Sequence, residues 1–107
     1  MSDSHYKLLT TCCPDENSAN ALANILLERE LVASVNILPP MHSLYRWEGK
    51  IVADSEVLIL MKTVEANMSV IEEEVQRQHP YEVPELLCLP IESGSSLFLK
   101  WIDDSVK

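Results

Sequence analysis

The chain has 107 residues, a formal net charge of −9 from 8 Lys and Arg against 17 Asp and Glu, and a mean hydropathy of +0.01. This length predicts a single domain covering residues 1–107, and 47% hydrophobic residues is the composition of an ordinary globular protein. The acidic charge with scattered basic residues argues against a nucleic-acid partner, and two distant glycines leave no glycine-rich loop for a nucleotide.

The N-terminal residues, 1–5, contain no basic region followed by an apolar stretch, so we expect no secretory signal and predict a cytoplasmic location. No apolar run approaches the roughly 18 residues that span a bilayer. The three cysteines are an odd number without C-x-x-C spacing, which argues against both a disulfide framework and a zinc knuckle.

The first two elements are a strand and an amphipathic helix. Residues 6–13 are rich in side chains that suit a pleated, partly buried surface, and Pro14 ends this predicted strand. Asp15 is a candidate N-cap, and Glu16 suits the positive end of the helix dipole. The helix is expected to continue to about Glu30. Its apolar stripe consists of Ala19, Leu22, Ala23 and Leu26.

A long hairpin follows. Residues 32–38 predict a second strand, which Pro39-Pro40 interrupts before the alternating pattern resumes at His42 or Ser43. The only plausible tight turn nearby is Glu48-Gly49-Lys50. The return strand, residues 51–63, begins polar and becomes continuously apolar, which predicts an exposed first half and a central second half.

The remaining elements are a helix, a strand and a short helix. Residues 66–78 form a second amphipathic pattern that Pro80 ends, and the prolines at 80 and 84 predict an ordered, non-helical connection over residues 79–85. Residues 86–90 predict a buried strand. Ser95 or Ser96 can cap a last helix. This helix carries Phe98, Trp101 and Ile102.

This order predicts an α+β fold, a ferredoxin-like split βαβ sandwich with two helices on one face of an antiparallel sheet. The hairpin between the second and third strands is far longer than usual, and no helix of the chain remains to cover Tyr45 and Trp47 near its tip. Long unprotected edges find partners, so we expect a closed ring of identical chains.

Four segments together resemble the CutA family, the divalent-cation tolerance proteins. They are Cys-Pro-Asp-Glu at 13–16, Leu-Tyr-Arg-Trp-Glu-Gly-Lys at 44–50, Leu-Met-Lys-Thr at 60–63 and His-Pro-Tyr-Glu-Val-Pro-Glu-Leu-Leu at 79–87. The resemblance covers nearly the whole chain. It implies a ferredoxin-like homotrimer with the architecture of the PII signalling proteins, linked to tolerance of copper and other divalent metals.

The resemblance also implies metal ligands near the end of the first strand and around the His-Pro and Pro-Glu positions. His79 and Glu85 occupy the last two places. Imidazole is the commonest ligand for copper and zinc, but His79 could instead satisfy backbone groups. Glu85 would supply a carboxylate, or it could pair with Lys62 or Arg46.

Two positions depart from the family pattern. Thr11 stands where family members proposed to bind copper have a cysteine, and Gln78 replaces a second histidine. Because alternate strand residues share a face, Cys13 is the better substitute ligand and Cys12 is expected in the core. Weak binding of Cu(II) or a related divalent cation is therefore the expectation.

A polar cleft between subunits is the expected place for a ligand. Aromatic and charged residues that could form its walls are Tyr45, Trp47, Glu56, Lys62 and Tyr81. The same aromatic residues could simply pack in a trimer core. Glu56 and Lys62 could anchor a small ligand or pair across the interface.

Three functions fit these observations. The first is a non-enzymatic metal-response protein that binds Cu(II) or related ions through His79, Glu85 and Cys13. The second is a small-molecule sensor or adaptor, by analogy of fold with PII proteins. A hydrolase ranks last, because the sequence contains neither a nucleophile elbow nor a pair of carboxylates with catalytic spacing. The partner protein, if any, is not indicated.

Overall fold

Residues 5–107, which the computed structural model describes, form five strands and three helices. In chain order these are β1 (Tyr6–Cys13), α1 (Glu16–Glu28), β2 (Ser34–Ile37), β3 (Met41–Trp47), β4 (Lys50–Val64), α2 (Met68–Gln78), β5 (Leu87–Pro90) and α3 (Ser96–Ser105). One 3-10 turn, Glu65–Asn67, precedes α2. Residues 1–4, the greater part of the segment predicted to carry no secretory signal, lie outside the described residues.

All strand pairs are antiparallel, and the sheet order is β5-β1-β4-β2, as expected for a ferredoxin-like sandwich. β4 is 15 residues long and has two parts. Its second part lies between β1 and β2, whereas its first part pairs with β3 from Met41↔Glu56 to Trp47↔Lys50. The long hairpin therefore projects beyond the rest of the sheet.

The second predicted strand is divided at Pro39-Pro40 into β2 and β3. Proline lacks the N–H that a strand ladder requires, so the break falls where the sequence placed it. The hairpin turn is also confirmed. Glu48 and Gly49 both have positive φ, 49° and 77°, which is the conformation of a two-residue turn matching the twist of the strands.

The core lies between one face of the sheet and helices α1 and α2. Asp15 caps α1, its side chain accepting the Ser18 N–H at 2.8 Å, and Ser95 caps α3 through the Phe98 N–H at 3.2 Å. Odd-numbered residues of β1 and β4 face these helices. Core residues include Leu9, Cys13, Leu22, Leu26, Ile59, Met61, Ile71 and Val75. Each buried leucine or isoleucine stabilises the fold by about 1.5–3 kcal/mol.

Even-numbered residues of β1 and β4 point to the opposite face of the sheet, the open face. With their neighbours on β5 they are Leu8, Thr10, Leu58, Leu60, Leu87 and Leu89. Leu87 and Leu89 are 56% and 44% exposed. Such a continuous apolar surface is typical of a protein interface.

None of the helices within residues 5–107 has the length and apolar character that a membrane-spanning helix requires.

Candidate functional site

A cleft of about 680 Å³ lies at one end of the open face, between β3 and the connection 79–85. It is lined by Cys12, Met41, Ser43, Leu44, Tyr45, Trp47, Glu56, Leu58, Tyr81, Glu82, Val83 and Glu85. Cys12 and Leu58 pair across β1 and β4. The volume lies in the range typical of small-molecule sites.

His79 anchors the connection 79–85 to the end of β1. Its Nε2 lies 2.6 Å from the Cys12 carbonyl oxygen, and its Nδ1 accepts the Tyr81 backbone N–H at 3.1 Å. Because Nδ1 is an acceptor, Nε2 carries the proton and the ring is neutral. Burial lowers the pKa of His79, which favours the same state. Both ring nitrogens are therefore engaged within the subunit.

The two adjacent cysteines lie on opposite faces of β1. Cys13 is fully buried in the core, with its Sγ 3.8 Å from Nε2 of His79. Cys12 faces the cleft, with its Sγ 3.8 Å from Oε2 of Glu85. Cys12 is 8% exposed and so is buried as expected, but it lines the cleft and is not part of the main hydrophobic cluster. Cys13, expected on the ligand side, belongs to that cluster. Alternation along the strand holds, but helices cover the face of Cys13.

Both thiols have raised pKa values. Burial, then the charges of Glu85 and Glu56, raise the pKa of Cys12 to about 11. Burial raises the pKa of Cys13 to about 11 as well. The thiols are thus protonated at neutral pH, whereas the thiolate is the form that attacks electrophiles and binds metals.

The cleft is acidic. Glu56, Glu82 and Glu85 line it, and within residues 5–107 no Lys, Arg or His side chain does. Glu56 is only 8% exposed, and its Oε2 accepts the Tyr81 hydroxyl at 2.8 Å. Burial and this carboxylate raise the pKa of Tyr81, so the hydroxyl stays a donor. The cleft is therefore suited to a positively charged occupant.

Four of the five residues predicted for the cleft line it, namely Tyr45, Trp47, Glu56 and Tyr81. Lys62 does not; it lies farther along β4, where its Nζ donates to Oδ1 of Asn36 at 2.8 Å. Pairing of Glu56 with Lys62 across a subunit interface stays a prediction. What the four lining residues bind stays a prediction.

Two of the three predicted metal ligands lie together, with Nε2 of His79 3.8 Å from Sγ of Cys13, but neither lines the cleft that Glu85 faces. Glu85 faces the cleft, His79 lies behind the end of β1, and Cys13 is in the core. Within residues 5–107, no group of three or more His, Cys, Asp or Glu side chains could hold an ion. The cleft offers one adjacent pair of donors, Cys12 and Glu85, so a complete coordination set would need a ligand from elsewhere.

The two positions that depart from the family pattern also have defined places. Thr11 is fully buried on the helix-covered face, and its Oγ1 has no hydrogen-bond partner among the described residues. Gln78 is at the end of α2, where its amide donates to Glu74 at 3.0 Å.

Sequence reasoning missed Cys12, Met41 and Glu82 as lining residues. No sequence signal singled out Cys12, because each face of β1 carries one threonine, one leucine and one cysteine. Met41 directly follows Pro40, and Glu82 lies inside the connection 79–85. Only the folded chain shows that these two segments face each other.

The chain matches a protein family described as CutA1 divalent ion tolerance protein over residues 7–105. It is 45% identical over 94 residues, 88% of this chain, to Protein CutA homolog of Xenopus laevis. It is 44% identical over 94 residues to Divalent-cation tolerance protein CutA of Pectobacterium atrosepticum, covering 88% of this chain and 86% of that protein.

Solved structures give the same result. The divalent cation tolerance protein CutA1 of Thermus thermophilus superposes with a TM-score of 0.93 at 37% identity, covering 95% of this chain and 99% of that one.

The chain spans only part of the length of some relatives. The alignment covers 62% of the Xenopus laevis protein and about half, 50%, of the curated Homo sapiens relative.

Proposed function

Because the chain belongs to the CutA1 divalent ion tolerance family, we propose that it acts in tolerance of divalent cations by binding Cu(II) or a related ion weakly in the acidic cleft. In this proposal the protein is a cytoplasmic homotrimer without enzymatic activity. The observation that carries it is the cleft itself, which Glu56, Glu82, Glu85 and Cys12 line and to which residues 5–107 contribute no basic side chain.

The donor pair explains why binding is weak. Thiol sulfur and carboxylate oxygen both bind Cu(II) and Zn(II), and Cys12 and Glu85 are 3.8 Å apart at their nearest atoms. An ion at this pair must displace the proton of a thiol whose pKa is about 11. Affinity is therefore expected to rise with pH. His79 positions the pair from behind, since its ring bonds to the Cys12 carbonyl.

The homotrimer is supported by the open face. Its leucines form an apolar surface that a single chain leaves exposed, and the cleft lies at one end of this surface. A neighbouring subunit packed there would border the cleft and could supply the missing ligand. The absence of a catalytic role is supported by the protonated thiols and by the two structural bonds of His79.

Calorimetric titration tests the proposal. The metal-stripped protein, verified as a trimer by mass, is titrated with Cu(II) and Zn(II) in parallel with Cys12→Ser and Glu85→Gln. We expect a site that both substitutions weaken by about tenfold or more. Cys88→Ser is the matched control, because Cys88 is a free, exposed cysteine on β5 outside the cleft. Equal heats in all four proteins would contradict the proposal.

The predicted ligands His79 and Cys13 are tested in the same series. If His79→Ala abolished Cu(II) binding while leaving stability unchanged in chelator, the ring would be a ligand rather than a positioning residue. If Cys13→Ala were the only cysteine substitution that abolished Cu(II) binding, the thiol ligand would be Cys13 in the core rather than Cys12 in the cleft.

A second function, a small-molecule sensor or adaptor of the PII type, is favoured by a different observation. The cleft is larger than an ion requires and has three aromatic side chains in its wall. A ligand that binds only the native state raises its melting temperature, so thermal shift in the presence of candidate small molecules is the measurement.

A further inference from the structure

The acidic cleft has an aromatic wall with defined orientation. Tyr45, Trp47 and Tyr81 line it together with the apolar Met41. The hydroxyl of Tyr81 donates to Glu56, and that of Tyr45 donates to the Asp54 carboxylate. These bonds direct the polar ends of both tyrosines toward carboxylates and leave ring surface for the cleft.

The charge of the cleft selects the class of occupant. Three carboxylates line it, and Glu56 is nearly buried, with a phenol hydroxyl rather than a cation as its partner. A buried carboxylate is stabilised by a nearby positive charge. Yet within residues 5–107 no three acidic, Cys or His side chains converge on a point where a metal ion could sit.

An organic ammonium group needs no such coordination set. Its charge is spread over a large, weakly hydrated head, which is attracted to the faces of Trp and Tyr rings and to carboxylates at a few ångströms. The combination of aromatic faces, carboxylates and apolar surface matches that chemistry. The cleft volume of about 680 Å³ exceeds what one ion fills and is ample for an alkylammonium compound.

We propose that the cleft binds monovalent organic cations with a methylated or alkylated ammonium head, packed against Trp47 and the tyrosine rings and neutralised by Glu56. The inference rests on the proposed function in one respect, that this cleft is the ligand site and selects positive charge. It does not require that a metal binds.

Choline and 3,3-dimethyl-1-butanol are the probes. They have nearly the same shape, but carbon replaces the ammonium nitrogen in the second, so the comparison isolates the charge. By calorimetry of the full chain we expect saturable choline binding at least about tenfold tighter than that of the alcohol. Trp47→Leu, which keeps apolar volume but removes the aromatic face, is expected to weaken choline binding about fivefold.

Trp101→Leu is the matched control. Trp101 on α3 is 44% exposed and Trp47 is 49% exposed, but only Trp47 lines the cleft. We expect Trp101→Leu to leave choline affinity within about twofold of the unaltered protein. Glu56→Gln, a nearly isosteric change, is expected to weaken choline and to leave the alcohol unaffected.

Three results would overturn the inference. The first is equal affinity for choline and its neutral analogue, and the second is an unaltered choline affinity in Trp47→Leu. The third is the absence of saturable choline binding, which is expected if a neighbouring copy of the chain fills the cleft. A parallel Cu(II) titration distinguishes failure of the organic-cation inference from failure of the proposed metal-binding function. Trp47→Leu removes no metal donor, and Glu85→Gln removes a donor but no aromatic face.

Discussion

The ring of His79 is bonded to the backbone of Cys12, with Nε2 2.6 Å from the carbonyl oxygen. The bond joins the connection after α2 to the last residues of β1. It thereby fixes both sides of the acidic cleft, because Cys12 forms its floor and Tyr81, two residues after His79, forms part of its wall. The histidine of the His-Pro motif is thus a structural element of the site.

Replacing His79 by Ala is expected to lower the free energy of unfolding by about 2–4 kcal/mol, since it removes a buried ring and leaves the Cys12 carbonyl and the Tyr81 N–H unpaired. Urea denaturation in the presence of a chelator measures this. His42→Ala, at an exposed position on β3, is the control and should change little. Wild-type stability of His79→Ala would show that the two bonds contribute nothing.

The same ring predicts a pH dependence. The pKa of His79 is lowered in the folded protein by burial, so the unfolded chain takes up a proton first as the pH falls. The contribution of neutral His79 to the free energy of unfolding is expected to be complete above about pH 6.5, the ordinary histidine pKa, and to decline below that pH. Unfolding measured from pH 8 to pH 5 in His79→Gln should lack this decline, while His42→Gln should retain it.

Two buried threonines make a matched pair. Thr11 and Thr63 are both fully buried, but Oγ1 of Thr63 donates to the Leu31 carbonyl at 2.6 Å, whereas Oγ1 of Thr11 is unpartnered among the described residues. Thr11→Val is therefore expected to stabilise the fold by about 1 kcal/mol, and Thr63→Val to destabilise it by about 1–2 kcal/mol. Thermal unfolding of both variants tests this, and effects of equal sign would contradict it.

Glu74 is a buried carboxylate on α2. Its amide partner Gln78, with Arg29 and Arg77, lowers the pKa of its carboxyl group. Glu74→Gln is expected to lower the melting temperature at pH 7. The difference from the unaltered protein should shrink as the pH falls below the ordinary glutamate pKa of 4.5 and through the lowered native pKa. Glu73→Gln, exposed on the same helix, is the control. A pH-independent difference would assign the effect to packing.

The proposed trimer is tested on the open face. Leu89→Glu places a charge in the apolar surface and is expected to convert a particle of three times the 12.1 kDa chain mass into monomers. Val70→Glu, on the outer side of α2 and 37% exposed, is the control and should leave the mass unchanged. Analytical ultracentrifugation gives the masses. A trimer that persists in Leu89→Glu would place the interface elsewhere.

Much of the fold could be predicted from the chain because its signals are local. The bounds of β1, the N-cap at Asp15, the break at Pro39-Pro40 and the turn at Glu48-Gly49 each follow from residues close in sequence. The helix predicted to continue to about Glu30 ends at Glu28, since Glu30 adopts a left-handed conformation with φ 56°. The location in the cell and the identity of the ligand stay predictions.

The site was only partly predictable. Tyr45, Trp47, Glu56 and Tyr81 were placed in the cleft because motifs and exposed aromatic residues single them out. Lys62 was misplaced, because residues on one strand face can be far apart along a strand as long as β4.

The cysteine pair shows where sequence alone ends. Strand alternation determined that Cys12 and Cys13 point to opposite faces of the sheet, since the period of a strand is two. Which face receives α1 and α2 depends on long-range packing, and that choice placed Cys13 in the core and Cys12 in the cleft. The sequence by itself determined the elements, their order and the family, whereas the tertiary structure decided which side chains meet.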